Sequence, residues 1–289
     1  MIKIYMEFCD KYQREPLNPS MATVLAYLEY LARRLASPKS VTNYWSAIKL
    51  LHAYSKHKFV NSSGLEIDLM LKSISVSKRH VSKQKFPLSK KHLTQMCQIL
   101  ESQEDVGIVV KTILLFGWYG FLRASNLCPE DPKVIDHTRH FLRRDVQCTE
   151  DYLVITVKWA KNMQCSIQQQ KIVLPKAYPK IVDPVSTYRK LCQMIPANPN
   201  QPLFLLQTGL PIALGKFRTI FTLLCKQIGI NPEDYSPHSL RRGGASYAKK
   251  NGATDTDIQR HGVWASAAYK DYLTAFPDEQ SSVFAALAH

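Results

Sequence analysis

The run Pro237-His238-Ser239-Leu240-Arg241-Arg242-Gly243-Gly244-Ala245-Ser246 sets an imidazole and a guanidinium three residues apart at the start of a helix. That spacing lays both side chains on one helix face. Unpaired backbone N–H groups and the helix dipole add to their charge, so His238 and Arg241 make an oxyanion site. Gly243, Gly244 and Ala245 let another backbone, or a phosphate, come close to the same turn. Further on, residues 262–273 read Gly-Val-Trp-Ala-Ser-Ala-Ala-Tyr-Lys-Asp-Tyr-Leu. A tyrosine is a useful nucleophile only with cationic company for its phenolate and a strong electrophile to attack, and His238 and Arg241 can supply the company. On local sequence alone, Trp264, Tyr269 and Tyr272 read equally well as packing aromatics. Upstream, Gly120-Phe121-Leu122-Arg123 ends a strongly apolar helix with a guanidinium. Arginine in so apolar a setting is expensive unless it meets a carboxylate or phosphate, which makes Arg123 a candidate ligand contact; a surface arginine beyond a helix end is the alternative.

The elements that must position these residues follow from periodicity. From Ile2 to Lys78 the pattern is helical: Ile4, Phe8 and Tyr12; then Val24, Leu28, Leu31 and Leu35; then Val41, Trp45, Ile48, Leu51 and His52. Ser20 and Ser40 stand where N-caps belong, and Pro16, Pro19 and Pro38 mark the joints. Residues 1–78 therefore read as a small all-helical bundle. Its first helix begins with no lead-in, which suggests a chain shortened at its N-terminus. Residues 79–91 read as a basic linker. Residues 92–289 form a second domain: a helix from Ser89, a buried helix over Val106–Leu122, and strands over Phe141–Val146, Tyr152–Val157 and Lys171–Leu174. Helices return over Pro184–Met194, Leu214–Ile228, His238–Lys250, Thr254–His261 and Ala265–Ala275. The fold class is mainly α with a small antiparallel β-sheet, an all-helical domain followed by a mixed α/β one.

The 289 residues carry 38 Lys and Arg against 23 Asp and Glu, a net charge of +15 that points to a polyanionic partner. Between Leu71 and His92, seven Lys and Arg occur with no acidic residue. Such a run is a solvated loop or lies along a DNA backbone. The seven cysteines are scattered singly, as core thiols in a reducing compartment and not as a disulfide frame or zinc site. The N-terminal segment carries Glu7 and Asp10 and is no secretory signal. The apolar run Val106–Leu122 is too short for the ~20 residues of a membrane span. The chain reads as intracellular, and nuclear if its host is eukaryotic, with no membrane partner.

The order Gly-Phe-Leu-Arg, a three-stranded sheet bearing a lysine, His-Ser-Leu-Arg, Gly-x-Trp and then Tyr resembles the tyrosine recombinase (phage-integrase-type) family over essentially the whole chain. The last segment is most similar to recombinases of eukaryotic mobile elements of the DIRS and Crypton kind, because Trp264 replaces the commoner His and Tyr272 follows it by eight residues. The resemblance makes residues 1–78 a core-binding domain. It implies a site-specific DNA recombinase that works through a 3′-phosphotyrosine on Tyr272. Arg123 and Arg241 would hold the non-bridging phosphate oxygens. His238 would hydrogen-bond the phosphate and help move the tyrosine proton, and Trp264 would pack beside it. Lys161 would protonate the departing 5′ oxygen, with Lys158 as fallback. Position relative to Trp264 favours Tyr272 over Tyr269 as nucleophile.

Two arginines in place of metal charge, and a phosphotyrosine that stores the energy of the broken diester, imply no cofactor, neither metal nor ATP. The implied partner is double-stranded DNA, bound in a C-shaped clamp through Lys78, Arg79, Lys83, Lys85, Lys90, Lys91, Arg139, Arg143 and Arg144, by a homotetramer on two sites. Beyond Pro277, the apolar Val283, Phe284 and Leu287 would either fold back or dock on a neighbouring protomer. Asn126 departs from the family, which commonly has an acidic residue three places after the first arginine. That departure gives weight to a second reading, a catalytically lapsed, domesticated DNA-binding protein; a type IB topoisomerase-like enzyme is a third.

Overall fold

The computed structural model describes residues 1–55, 64–78, 84–103, 105–158, 170–264 and 267–273. They belong to two compact units, Met1–Lys83 and Gln84–His289. The architecture is mainly helical with one small antiparallel sheet.

In the first unit, large apolar side chains recur at helical spacing and are buried together. Helices α1 (Ile2–Lys11), α2 (Met21–Arg34), α3 (Pro38–Ser55) and α4 (Leu65–Ser77) bury Tyr5, Phe8, Val24, Leu28, Leu31, Val41, Trp45, Ile48, Ile67 and Ile74 in one core. Ser20 caps α2, its hydroxyl accepting from the Thr23 amide at 3.2 Å. Ser40 is not a cap. Pro38 opens α3, where a missing N–H costs nothing, and the Ser37 carbonyl accepts the Ser40 and Val41 amides. Tyr12 also departs from the expected buried stripe, because the chain leaves α1 there and turns through Gln13 at φ 49°.

The second unit opens with α5 (Lys90–Glu101), which starts beside Ser89 as expected and is capped by its hydroxyl. Helix α6 (Asp105–Tyr119) is buried nearly all round, because α5 and two later helices pack against it. Its one charged interior residue, Lys111, is satisfied by an ion pair with Glu101. Among the described residues, no helix is long and apolar enough to cross a membrane. A short helix α7 (Ala124–Leu127) follows α6, and the strands come next.

Strands β1 (Val146–Cys148), β2 (Tyr152–Val157) and β3 (Gln170–Pro175) form an antiparallel sheet in sequence order, with Val146 opposite Ile155 and Ile155 opposite Ile172. Leu153, Ile155, Val157, Ile172 and Leu174 face the core, so the period-2 pattern fixes the register. The expected strand over Phe141–Val146 is largely absent. Leu142 makes only an isolated bridge to Pro202, and Arg143–Asp145 is a 3₁₀ turn in which the Asp145 carboxylate accepts the Leu142 amide at 2.7 Å. That local bond competes with strand pairing.

Helices α8 (Pro184–Met194), α9 (Leu214–Gln227), α10 (His238–Lys250) and α11 (Asp255–His261) complete the core, with Asp183 and Thr254 as N-caps of α8 and α11. The helix expected over Ala265–Ala275 is instead a 3₁₀ segment, Ala267–Tyr272, and the outer residues of that range lie outside the described ones.

The boundary between units falls after Lys83, and Lys90 and Lys91 of the expected 79–91 linker belong to α5. Residues 84–89 are anchored to the second unit: the Phe86 amide donates to the Asp234 carbonyl at 2.8 Å, and the Leu88 amide to the Ser239 carbonyl at 2.9 Å. The Trp118 indole N–H donates to the Leu88 carbonyl at 3.0 Å. This contact is what the two glycines of α10 serve. A Cβ on Gly243 would run into the Leu88 backbone, and one on Gly244 into the Trp118 carbonyl and the Phe121 ring. Gly244→Ala is therefore expected to lower the unfolding free energy by about 3 kcal/mol or more, since backbone must move to admit one methyl. Urea denaturation at equal protein concentration measures this. An unchanged midpoint would contradict the packing.

Candidate active site

The site forms where the C-terminal end of α6, the N-terminal end of α10 and the turn after α11 converge. Helix α6 stops at Gly120, and Phe121 takes a left-handed conformation, φ 49°, before Leu122 and Arg123 lead into α7. After α11, Val263 is also left-handed, φ 53°, and Trp264 follows. A β-branched residue in that region is a true outlier, and such backbone costs on the order of 1–3 kcal/mol.

Arg241 joins both turns. Only 2% exposed, its guanidinium donates to the Phe121 carbonyl and, at 2.8 Å, to the Gly262 carbonyl. It also lies 3.8 Å from the centre of the Trp264 ring, in cation–π contact. Gly262 must lack a side chain, because a Cβ there would occupy the Trp264 ring.

His238 opens α10, and its ring is held neutral. Burial first, then the positive charges of Arg241, Arg242 and Arg123, push its pKa down to about 4. The structure thus brings Arg123, His238, Arg241 and Trp264 together. It adds Arg242, which sequence reasoning passed over although it stands beside Arg241.

His261 was also missed. Its Nε2 is 2.8 Å from the Tyr119 carbonyl and its ring packs 4.7 Å from Phe121, so it supports the first strained turn from beneath. Burial is the main cause that lowers its pKa. No signal in the local sequence distinguished it from a residue of the last helical turn.

Tyr269 is buried with Phe121, Ala245, Ile258 and Trp264, and its hydroxyl donates to Asp255 Oδ2 at 3.0 Å. Burial and the Asp255 carboxylate raise its pKa, which opposes phenolate formation. Tyr272 closes the 3₁₀ segment, and its side chain lies outside the described residues.

Lys161 also lies outside them. The fallback, Lys158, has its Nζ 2.6 Å from Asp145 Oδ2, with both groups largely buried. Asn126 is buried within α7.

The basic residues expected to face DNA divide. Arg79 and Lys83 lie outside the described residues, and Lys78 ends α4 in the first unit. Lys85 donates to the Glu233 carbonyl, Lys90 sits 5.3 Å from the Tyr247 ring centre, and Lys91 is exposed. Arg139 is half-buried, whereas Arg144 is exposed and bonded to Asn200. Arg143 departs from the expectation. It is buried, and its guanidinium donates inward to Cys192 Sγ and the Ile195 carbonyl, each at 2.9 Å.

No protein-family model matches the chain, and no curated protein is similar in sequence. Solved structures are similar in fold. The XerH site-specific recombinase, in a post-cleavage complex with a palindromic difH substrate, aligns with a TM-score of 0.61 and 14% identity over 93% of this chain and 72% of its own. The Tn1549 transposon integrase in complex with transposon right-end DNA gives 0.58 and 14% over 93% and 85%. A lambda integrase dimer bound to core-site DNA gives 0.57 and 14% over 93% and 87%. The chain therefore shares the fold of these recombinase and integrase structures, with an all-helical unit followed by a mixed one.

The neutral state of His238 has a consequence for stability. Because its folded-state pKa is below the ordinary value of 6.5, the unfolded chain binds the extra proton between that value and about 4. Its contribution is fully present above the higher value and is lost as pH falls through the window. His238→Gln should make the denaturation midpoint less sensitive to acid over this range than in the parent protein. Parallel pH profiles for the two proteins would disprove the assignment.

Proposed function

We propose that the protein is a site-specific DNA recombinase that cuts and rejoins DNA through a covalent bond between Tyr272 and a 3′ phosphate. The carrying observation is the convergence of Arg123, His238 and Arg241 beside Trp264, at the N-terminus of α10, in a fold shared with structures solved on DNA.

In this reading Arg123 and Arg241 hold the non-bridging oxygens of the scissile phosphate. A guanidinium has several N–H donors, so the anchoring of Arg241 on two carbonyls is compatible with a phosphate contact. Their charge supports the pentacoordinate transition state more than the diester, which is what accelerates the step. The Tyr272 oxygen attacks phosphorus while His238, neutral before the phosphate arrives, accepts the phenol proton. The bond from phosphorus to the 5′ oxygen breaks, and Lys161 gives that oxygen a proton. The 5′ hydroxyl of a partner strand reverses the sequence, so neither ATP nor a metal ion enters.

Duplex DNA is the partner, met by the exposed members of the basic set, with a homotetramer on two sites as the working assembly. The spacing from Trp264 to Tyr272 supports a recombinase of the DIRS and Crypton kind. A second reading, a DNA-binding protein whose chemistry has lapsed, draws on Asn126 and on the burial of Arg241.

Incubation with a nicked suicide duplex bearing the termini of the encoding element decides between them. The recombinase yields a denaturation-resistant protein–DNA adduct, and Tyr272→Phe abolishes it while leaving DNA affinity nearly intact. A parent protein that binds this duplex but forms no adduct is the lapsed one.

The two lysines are separable by leaving group. Lys161→Ala should lose roughly a hundredfold or more in cleavage and regain it on a substrate with a bridging sulfur at the 5′ position, which needs no protonation. Lys158→Ala should gain nothing specific from sulfur, because Lys158 serves Asp145. Sulfur rescue of Lys158→Ala and not of Lys161→Ala would reverse the two roles.

A further inference from the structure

Tyr269 and Asp255 form a contact that neither the proposed chemistry nor the packing of the core requires. The segment carrying the nucleophile, Ala267–Tyr272, is a six-residue 3₁₀ helix. Runs of that length are uncommon and their hydrogen bonds are poorly aligned, so such a segment takes its position from side-chain anchors. Its anchor is Tyr269, 6% exposed in a cluster with Phe121, Ala245, Ile258 and Trp264, against which Leu273 also packs.

A ring so placed could be phenylalanine, yet it carries a hydroxyl, and the hydroxyl reaches Asp255 Oδ2 at 3.0 Å. The acceptor is built rigidly. Asp255 is the first residue of α11, beside the N-cap Thr254, and its other oxygen pairs with Lys249 Nζ of α10. Hydrogen bonds from Lys249 and then from Tyr269 itself hold the carboxylate below its ordinary pKa, which makes this a charge-assisted hydrogen bond.

We infer that the Tyr269–Asp255 hydrogen bond is a latch that docks the Tyr272-bearing segment onto α10 and α11, making Tyr269 a positioning residue for the nucleophile. The inference rests on the proposed role of Tyr272, which lies one 3₁₀ turn, about 6 Å, beyond the latch. His238 and Arg241 belong to α10, so the latch refers the nucleophile to the helix that holds its cationic partners. Such precision matters, because misplacing a reacting group by about 1 Å costs on the order of a hundredfold in rate.

Two measurements on the full chain test this. Amide hydrogen exchange of residues 267–273 needs no DNA: Tyr269→Phe and Asp255→Ala should each speed it about tenfold, in keeping with loss of one charge-assisted bond. The double variant should exceed neither single one, and Asp255→Asn, which keeps an oxygen acceptor, should recover most of the protection. Unchanged exchange in the two single variants, or effects that multiply in the double, would overturn the latch.

The second measurement is single-turnover cleavage of the nicked suicide duplex at saturating protein. Tyr269→Phe should slow adduct formation about tenfold with DNA affinity unchanged, whereas a purely packing role leaves the rate alone. If the parent protein forms no adduct, the proposed chemistry fails and the exchange measurement alone decides the latch.

Discussion

A guanidinium cannot shed its charge, so a buried one must be surrounded by acceptors or it unfolds the protein around it. Arg241 is buried in the second unit, and its acceptors include the carbonyls of Phe121 and Gly262. Phe121 is itself a strained residue, and Gly262 directly precedes the strained Val263. Neither turn would be stable alone, and the arginine would be costly without them. Each therefore justifies the other, and from this mutual requirement the positions of Arg123, which follows the first turn, and Trp264, which follows the second, are determined.

The close approach that makes this possible depends on missing side chains. Gly243 and Gly244 bring α10 against Leu88 and Trp118, and Gly262 admits the Trp264 ring over the guanidinium. The close approach at α10 was legible in the sequence, where the Gly-Gly-Ala triplet admits either a backbone or a phosphate; that of Gly262 was not. The helices were legible too where an apolar period recurred, and at Ser20 the cap was legible with it. Where a local polar bond competed, periodicity misled. Phe141–Val146 alternates like a strand, but Asp145 turns back on the Leu142 amide and pairing begins only at Val146.

Pairings distant in sequence were not legible. Asp145 with Lys158, Asp255 with Tyr269, and His261 with the Tyr119 carbonyl join residues from different elements, and no periodicity marks one as the partner of another. Sign of charge was similarly insufficient. Arg143 and Arg144 are adjacent and identical, yet one is spent on α8 and the Ile195 carbonyl while the other is exposed. Which way a basic residue faces is decided by the tertiary fold, so a run of positive charge locates a surface only approximately.

The electrostatics of the site follow from the same arrangement. Burial, and after it the positive charges of Arg241, Arg242 and Arg123, keep His238 neutral as long as no anion is present. A phosphate drawn in by those arginines offsets their field, and the proton affinity of His238 must rise as it binds, since binding and protonation are linked. The imidazole thus becomes a better proton acceptor only when there is a phosphate to attack. A tyrosine placed there would face a weak base in the empty site and a stronger one in the loaded site, so burial and the arginines together would favour the proposed chemistry in the DNA-bound state.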